Sequence, residues 1–427
     1  KKLLVCDTIS SNSLFSEMKN IKSVKNLLLL TIKKSENFIK TSDLIIDTLE
    51  NQNINKAFVV AGDRNLHLLD SLGKKETFDY SVFNNEYFAS FAAIGYSKFN
   101  LKPPVIFISG GSSTLKIIEA VCSAYIDSEP LIIISGQERK SENSNSKLRQ
   151  LGNKSINIIN LIKSITKLSK KINKVDELSF YLEKAIYESR NGRPGPVWLD
   201  IPIDILGKTI NESKLKHFDP YNFSQKTNFN NLRTSIRKIY TMINESRKPV
   251  LLLGYGVRLS NSYKLALELV NKLKIPVVTS RRGADLLHAK HNYYFGRPGV
   301  YGNRYSNFII QNADLLISVG SRLSIPLIGR DYKNFAKKAK LVVVDVDKNE
   351  LDKKTLKIDL ALNFSADIFL DSMLKNFEKI KKFNNWHNKC KKIKTLLNFK
   401  REGYQHTNKI NPYIFVKDLS NICDESS

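Results

Sequence analysis

The sequence predicts two α/β domains, each a doubly wound parallel sheet, with a C-terminal third domain truncated soon after its start. Short all-apolar runs alternate with amphipathic helical stretches from about residue 39, the pattern of strands buried on both faces of a parallel sheet. That alternation breaks off in a polar, Asn- and Lys-rich stretch and then begins again. The 427 residues have room for two or three such domains, at ~100–200 residues each.

Taken in order, residues 1–34 form a basic, serine-rich N-terminal extension. It opens on Lys1 and lacks the apolar core and small-residue cleavage site of a signal peptide. Residues 35–205 form the first domain, with strands expected at Ala57–Ala61, Val105–Ser109, Leu131–Ser135 and Val197–Ile201. Helices are expected between them, near 40–52, 64–73, 84–98, 112–125 and 176–190. Residues 206–230 lack periodicity and read as a linker. The second domain, 231–379, carries strands at Val250–Leu253, Pro276–Thr279, Asp314–Val319 and Leu341–Val346, with helices near 260–273, 303–312 and 364–379. Residues 380–427 read as a basic linker and then, from Ile410, the first helix of a further domain. An amphipathic helix with nothing after it to cover its apolar face implies a chain cut short.

Composition narrows the function classes. The formal charge of +27 invites a nucleic-acid or anionic-membrane partner. The lysines are dispersed among Asn and Ile, however, and form no stripe with interleaved aromatics, so neither nucleic acid nor a membrane is expected as a partner. No apolar run approaches the about 18 residues of a membrane span. Cys6, Cys122, Cys390 and Cys423 are far apart and show no metal-ligand spacing, which fits a reducing cytoplasm and predicts no metal site.

Chemistry concentrates in the first domain. Glu86 lies in Phe83-Asn84-Asn85-Glu86-Tyr87-Phe88-Ala89-Ser90-Phe91-Ala92-Ala93-Ile94-Gly95-Tyr96, an otherwise apolar helix-forming run. A buried carboxylate costs several kcal/mol unless it has a partner or a task. Stabilisation at a helix's positive end is the competing explanation. Ala89, Ser90 and Ala93 are small, and would let a flat ligand lie against that helix face. Downstream, Ser109-Gly110-Gly111-Ser112-Ser113-Thr114 follows a strand, where open α/β sheets bind ligands. Ala124-Tyr125-Ile126-Asp127-Ser128-Glu129-Pro130, Ser135-Gly136-Gln137 and Gly192-Arg193-Pro194-Gly195-Pro196-Val197-Trp198-Leu199-Asp200 complete an ordered set.

With this order and spacing, residues 35–420 or so resemble the thiamine-diphosphate-dependent, acetolactate synthase-like enzymes. The resemblance implies a pyrimidine-binding domain at 35–205, a central nucleotide-fold domain at 231–379 and the opening of a diphosphate-binding domain near 410. It makes Glu86 the catalytic activator, whose carboxyl group hydrogen-bonds a pyrimidine ring nitrogen and favours the tautomer that deprotonates the thiazolium carbon. Gly62, Ser109, Gly110, Gly111, Ser112 and Gln137 become the cofactor-binding residues. The implied substrate is a 2-oxo acid such as pyruvate, decarboxylated and joined to a second carbonyl compound. The implied assembly is a homodimer or homotetramer through the pyrimidine-binding domain. The sequence departs from the pattern at Asn85-Glu86-Tyr87, where relatives carry His-Glu-Gln, and at Ser109-Gly110-Gly111, which lacks the usual proline. Ala61-Gly62-Asp63 replaces a Gly-Gly turn, and Arg149-Gln150-Leu151-Gly152 is followed by Asn153-Lys154-Ser155 instead of Phe-Gln-Glu.

In flavin-containing relatives the central domain holds FAD, and Gly254, Gly256, Gly283, Gly299, Gly302, Arg322 and Asp345 fall where its contacts would lie. Relatives without the flavin share the fold, and here Leu323-Ser324-Ile325-Pro326 replaces the Phe-Asp-Asp-Arg of flavin-holding synthases. Strand-end capping competes as the role of Asp345 and Asp347. The family's Gly-Asp-Gly with a following Asn, which holds Mg²⁺ against the diphosphate, does not occur in these 427 residues. Mg²⁺ would therefore enter through the missing domain, and the chain alone is expected to bind thiamine diphosphate poorly. Two alternatives stand beside the segment of a carboligase: a non-catalytic or split-enzyme subunit assembling with a chain that carries the metal half, and a nucleotide-binding module built on the central domain, whose Gly254-Tyr255-Gly256 lacks the third glycine of a dinucleotide fingerprint.

Overall fold

The computed structural model describes residues 38–142, 152–153, 155–223, 229–397 and 410–423. The expected extension at 1–34, the Arg149-Gln150-Leu151 stretch and Lys154 lie outside the described residues. The chain forms two compact units, one through Ser224 and one from Gln225.

In the first unit the strands are β1 (Phe38–Lys40), β2 (Lys56–Val60), β3 (Asp79–Phe83), β4 (Val105–Ile108), β5 (Leu131–Gln137), β6 (Leu168–Lys171), β7 (Pro196–Pro202) and β8 (Thr209–Asn211). Six of them make one sheet in the order β3-β2-β4-β5-β7-β6, every neighbouring pair parallel. The central strands show why their sequence is apolar throughout. Val105 and Phe107 of β4 pack with Ile45, Ile46, Leu49 and Leu182 on one side of the sheet, while Ile106 and Ile108 pack with Ala89, Ala93, Ile117 and Val121 on the other. Each face is covered by helices, so neither parity of the strand can be polar.

The edge strands escape that logic. β3 reads Asp-Tyr-Ser-Val-Phe with three exposed positions, and β6 reads Leu-Ser-Lys-Lys with none buried. Neither presents an apolar run, and so neither was expected from sequence. β8 lies inside the stretch expected to be a linker, and pairs antiparallel with β1. The buried Phe218 beyond it packs on Phe180, Tyr187 and Phe223. Part of 206–230 is thus built into the first unit, because Ile210 and Phe218 supply apolar anchors that a solvated linker lacks.

The second unit has β9 (Pro249–Leu253), β10 (Val277–Thr279), β11 (Leu315–Val319), β12 (Lys340–Asp345) and β13 (Leu360–Asn363). They form a parallel sheet in the order β10-β9-β11-β12-β13. The helix Asn384–Leu396 belongs to this unit although it follows residue 379. Its Trp386 indole donates to the Pro249 carbonyl at 3.1 Å, and Cys390 is fully buried. The helix Pro412–Ile422 exposes Tyr413, Phe415, Val416, Leu419 and Ile422. Among the described residues no helix is long and apolar enough to cross a membrane.

Both sheets share one topological feature. The chain leaves its first central strand for the neighbour on one side, then returns to the other side, so the strand order reverses between β2 and β4 and again between β9 and β11. The carboxyl ends flanking such a reversal splay apart and make the ligand crevice of open α/β sheets.

Candidate active site

At the first reversal, β2 runs into Gly62-Asp63-Arg64 and β4 into Ser109-Gly110-Gly111. These loops interlock with the end of β5. A Cβ on Gly62 would stand 2.4 Å from the Ser109 Cβ, one on Gly110 1.9 Å from the Gly136 carbonyl oxygen, and one on Gly136 2.1 Å from the Arg64 carbonyl oxygen. Glycine at 62 and 110 is therefore demanded by loop packing itself. Gly111 is also buried and has φ +85°, a conformation that favours glycine. Ser112 is exposed.

Polar groups fill the seam. The Ser109 hydroxyl donates to Asp63 Oδ1 at 3.1 Å and accepts from the Arg64 amide at 3.4 Å. The buried Arg64 guanidinium pairs with Asp63 Oδ1 at 2.9 Å and with the Glu138 carboxylate, itself only 11% exposed. Arg64 Nε is buried and has no hydrogen-bond partner among the described residues. Gln137, expected to line the cofactor cleft, is turned into the fold. Its amide nitrogen donates to Asp200 Oδ2 at 3.0 Å and to the Ile156 carbonyl at 3.3 Å, and its oxygen accepts from the Glu138 amide at 3.0 Å.

Behind Gln137 lies a buried network across β5 and β7, whose Ser135 and Asp200 are register partners. The Trp198 indole donates to the Ser135 hydroxyl at 2.8 Å, and that hydroxyl donates to Asp200 Oδ1 at 2.6 Å. Complete burial pushes the Asp200 carboxyl up to about 6, against the opposing pull of Ser135, Gln137 and Lys171. Burial likewise lowers the Lys171 ammonium.

Glu86 follows β3 and opens the helix Glu86–Asn100. The preceding Asn85 caps that helix, accepting from the Tyr87 amide at 2.9 Å. The segment's apolar residues drive it onto the sheet, and the cap fixes the carboxylate at the helix's positive end. The Glu86 side chain is 7% exposed and pairs with Lys116 Nζ at 3.0 Å; the lysine side chain is 51% exposed. Lys116 rides on the short helix Gly111–Ile117 that continues the glycine turn. Among the described residues it is the one hydrogen-bonding or ionic partner of the Glu86 carboxylate.

The small residues one turn on have a different role from the one expected. Ala89, Ser90 and Ala93 are completely buried, the two alanines in the core cluster of Phe58, Val60 and Ile106, and the Ser90 hydroxyl donates to the Tyr87 carbonyl. They bring the helix close to the sheet and present no open face to a ligand. The structure thus brings Glu86, Gly62, Ser109, Gly110 and Gly111 to one edge of the sheet, and holds Gln137 inside it. Sequence reading missed Lys116, Arg64, Glu138 and Asp200. Asp200 interrupts an apolar strand and gave some signal, whereas the two ion pairs join residues far apart in sequence and gave none.

At the second reversal the crevice is closed by backbone. A Cβ on Gly254 would stand 2.1 Å from the Gly320 carbonyl oxygen, and that carbonyl accepts from the Gly256 amide at 2.9 Å. Gly320 has φ +62°. Gly283 lies beside Leu286 and the end of β9, Gly299 (φ +123°) against Pro326, and Gly302 against Arg297. Arg322 is half-exposed and shares Glu350 with Lys353. Asp345 accepts from the Asp347 amide at 2.9 Å, and Asp347 caps the helix Lys348–Asp352. The glycines and Asp345 are thereby accounted for within the unit's own packing. Among the described residues no cluster of three His, Cys, Asp or Glu could hold a metal ion.

Comparison with known proteins assigns both units. Residues 39–158 match the thiamine pyrophosphate enzyme N-terminal TPP binding domain, and residues 236–373 match the thiamine pyrophosphate enzyme central domain. The acetolactate synthase large subunit of Lactococcus lactis is 27% identical over 368 residues, covering 86% of this chain and 62% of the relative. Acetolactate synthase isozyme 1 large subunit of Escherichia coli is 31% identical over 317 residues, covering 73% and 53%. A probable acetolactate synthase large subunit of Methanocaldococcus jannaschii is 28% identical over 396 residues, covering 91% and 64%. The chain thus spans 53–64% of the length of these relatives. With two parallel-sheet units in this order, each matched by the corresponding domain model, the chain belongs to the thiamine-diphosphate-dependent enzymes of the acetolactate synthase-like family.

Proposed function

We propose that this chain supplies the pyrimidine-binding and central portions of a thiamine-diphosphate-dependent carboligase or decarboxylase acting on 2-oxo acids such as pyruvate. The observation that carries the reading is the Glu86 carboxylate, buried at the carboxyl edge of the first sheet beside the strand-order reversal. A buried carboxylate that close to a ligand crevice fits the ring nitrogen of an aminopyrimidine, to which it can hydrogen-bond and with which it can hold a proton. Thiamine diphosphate, when bound, would supply a nucleophilic carbon and an electron sink for decarboxylation of a 2-oxo acid.

The roles of this chain's residues follow from their places. The Glu86 carboxylate would bind and orient the pyrimidine. The interlocked loops at Gly62, Ser109, Gly110 and Gly111 fix the wall in which it stands, and the Arg64–Glu138 pair holds that wall rigid. Gln137 positions Asp200 and Glu138 from inside. Contacts to Mg²⁺ and the diphosphate would come from a diphosphate-binding domain. Pairing through the pyrimidine-binding domain as a homodimer or homotetramer in the cytoplasm is part of this proposal. For the central unit a purely structural role is favoured over FAD binding, since loop packing already requires Gly254, Gly256, Gly299 and Gly302.

The test supplies a diphosphate-binding domain, fused or in trans, and follows pyruvate-dependent CO₂ release. Glu86→Gln should lower the rate by about 10²–10⁴-fold; unchanged turnover would remove Glu86 from the mechanism. A second reading, a subunit that assembles with a complete relative without itself turning over, is favoured by Lys116 on the carboxylate. Under it, the assembled complex keeps its full rate when Glu86 alone is changed.

A further inference from the structure

Lys116 stands where the cofactor's pyrimidine would have to reach. Its ammonium lies 3.0 Å from Glu86 Oε2, on the carboxylate that an aminopyrimidine would engage under that reading. The two ends of the pair differ in freedom. Glu86 is fixed at a capped helix start and 7% exposed, whereas the Lys116 side chain is 51% exposed on a flexible four-carbon stem. The carboxylate cannot swing out to meet a ligand, but the lysine can swing away.

We propose that Lys116 is a displaceable lock on Glu86, competing with an aminopyrimidine for the same carboxylate oxygen and lowering this chain's affinity for it. The inference rests on the reading of Glu86 as the pyrimidine contact. Lys116 is a positioning residue here, acting on the ligand only through Glu86. A half-exposed ion pair is weak enough to be broken by a ligand and strong enough to tax its binding. Salt screens such a pair, so the lock also makes affinity depend on ionic strength.

The experiment uses the 427-residue chain and a neutral probe, 4-amino-5-hydroxymethyl-2-methylpyrimidine, so that repulsion between a lysine and a cationic thiazolium plays no part. Its affinity is measured by ligand-observed NMR for the wild type, Lys116→Met, Lys116→Gln and the double variant Glu86→Gln/Lys116→Met, at low and high KCl. Both single lysine variants should bind roughly fivefold tighter than wild type, about 1 kcal/mol at tenfold per 1.4 kcal/mol. High salt should narrow that gap by strengthening the wild type alone, and the double variant should lose the gain. Equal or weaker binding by the lysine variants, with the double variant weaker still, overturns the lock and leaves Glu86 as the contact. If the double variant binds as tightly as Lys116→Met, or if no variant binds the probe, the reading of Glu86 as the pyrimidine contact fails and takes the lock with it.

Discussion

The two strand-order reversals are built on the same topology and both are sealed by close-packed glycines, but the first adds a network of charged and polar side chains. Between β2 and β4 the loops are joined by side chains, with Arg64 bridging Asp63 and Glu138 and with Ser109 between them. Between β9 and β11 the loops meet backbone to backbone, Gly256 donating to the Gly320 carbonyl. The added side chains leave ionisable groups at the first sheet's edge, where they can be turned to chemistry, whereas the contact between Gly256 and Gly320 is backbone alone. The difference teaches that a shared crevice topology need not carry the same groups, and that in this chain the ionisable ones gather at the first reversal.

Breaking the first seam should have the largest effect. Arg64→Met removes a buried cation from the Glu138 carboxylate and should destabilise the first unit by about 3–5 kcal/mol. Hydrogen exchange read by mass spectrometry, peptide by peptide, should show the loss confined to residues before 224. Equal loss in both units would end the claim that the seams are independent.

The pH dependence of the first unit comes next. Burial raises the folded-state Asp200 carboxyl from 3.8 to about 6. The stability linked to that group is therefore complete below 3.8 and is lost as pH climbs through about 6. On the order of 3 kcal/mol is at stake. Asp200→Asn should flatten this slope, read as the pH dependence of hydrogen-exchange protection in first-unit peptides; an unchanged slope would assign it to another group.

In the second seam, Gly254→Ala places a methyl group 2.1 Å from the Gly320 carbonyl. Overpacking of this kind should cost about 1–3 kcal/mol, and exchange should quicken around β9 and β11 while the first unit stays protected. The smallest effect belongs to the pair at the candidate site. Lys116→Met should cost under about 1 kcal/mol of stability, because the Glu86 carboxylate keeps the positive end of its helix. A large loss of thermal stability would mean that Lys116 holds the fold, and not merely the carboxylate.

The legible part of the fold was its centre. β4, β5, β9 and β11 announce themselves because helices cover both faces of each sheet and apolar side chains dominate both parities. β3, β6 and β13 are edge strands whose pairing is paid in backbone hydrogen bonds, and their mixed sequences carry no such imprint. The site divides in the same way. A carboxylate in an apolar helical run, and a glycine turn after a buried strand, can be read from neighbours in sequence.

What the sequence determined by itself was the order of the buried central strands and the place of Glu86 in an apolar helical run, since both follow from local pattern, while the family came from the resemblance of its ordered motifs. Tertiary structure alone decided that Ala89, Ser90 and Ala93 face the core, that Gln137 is spent on Asp200, and that Lys116 reaches across thirty positions to Glu86. Those outcomes depend on which surfaces meet when helices dock on a sheet, and a side chain's partner is set by that docking and not by its place in the chain.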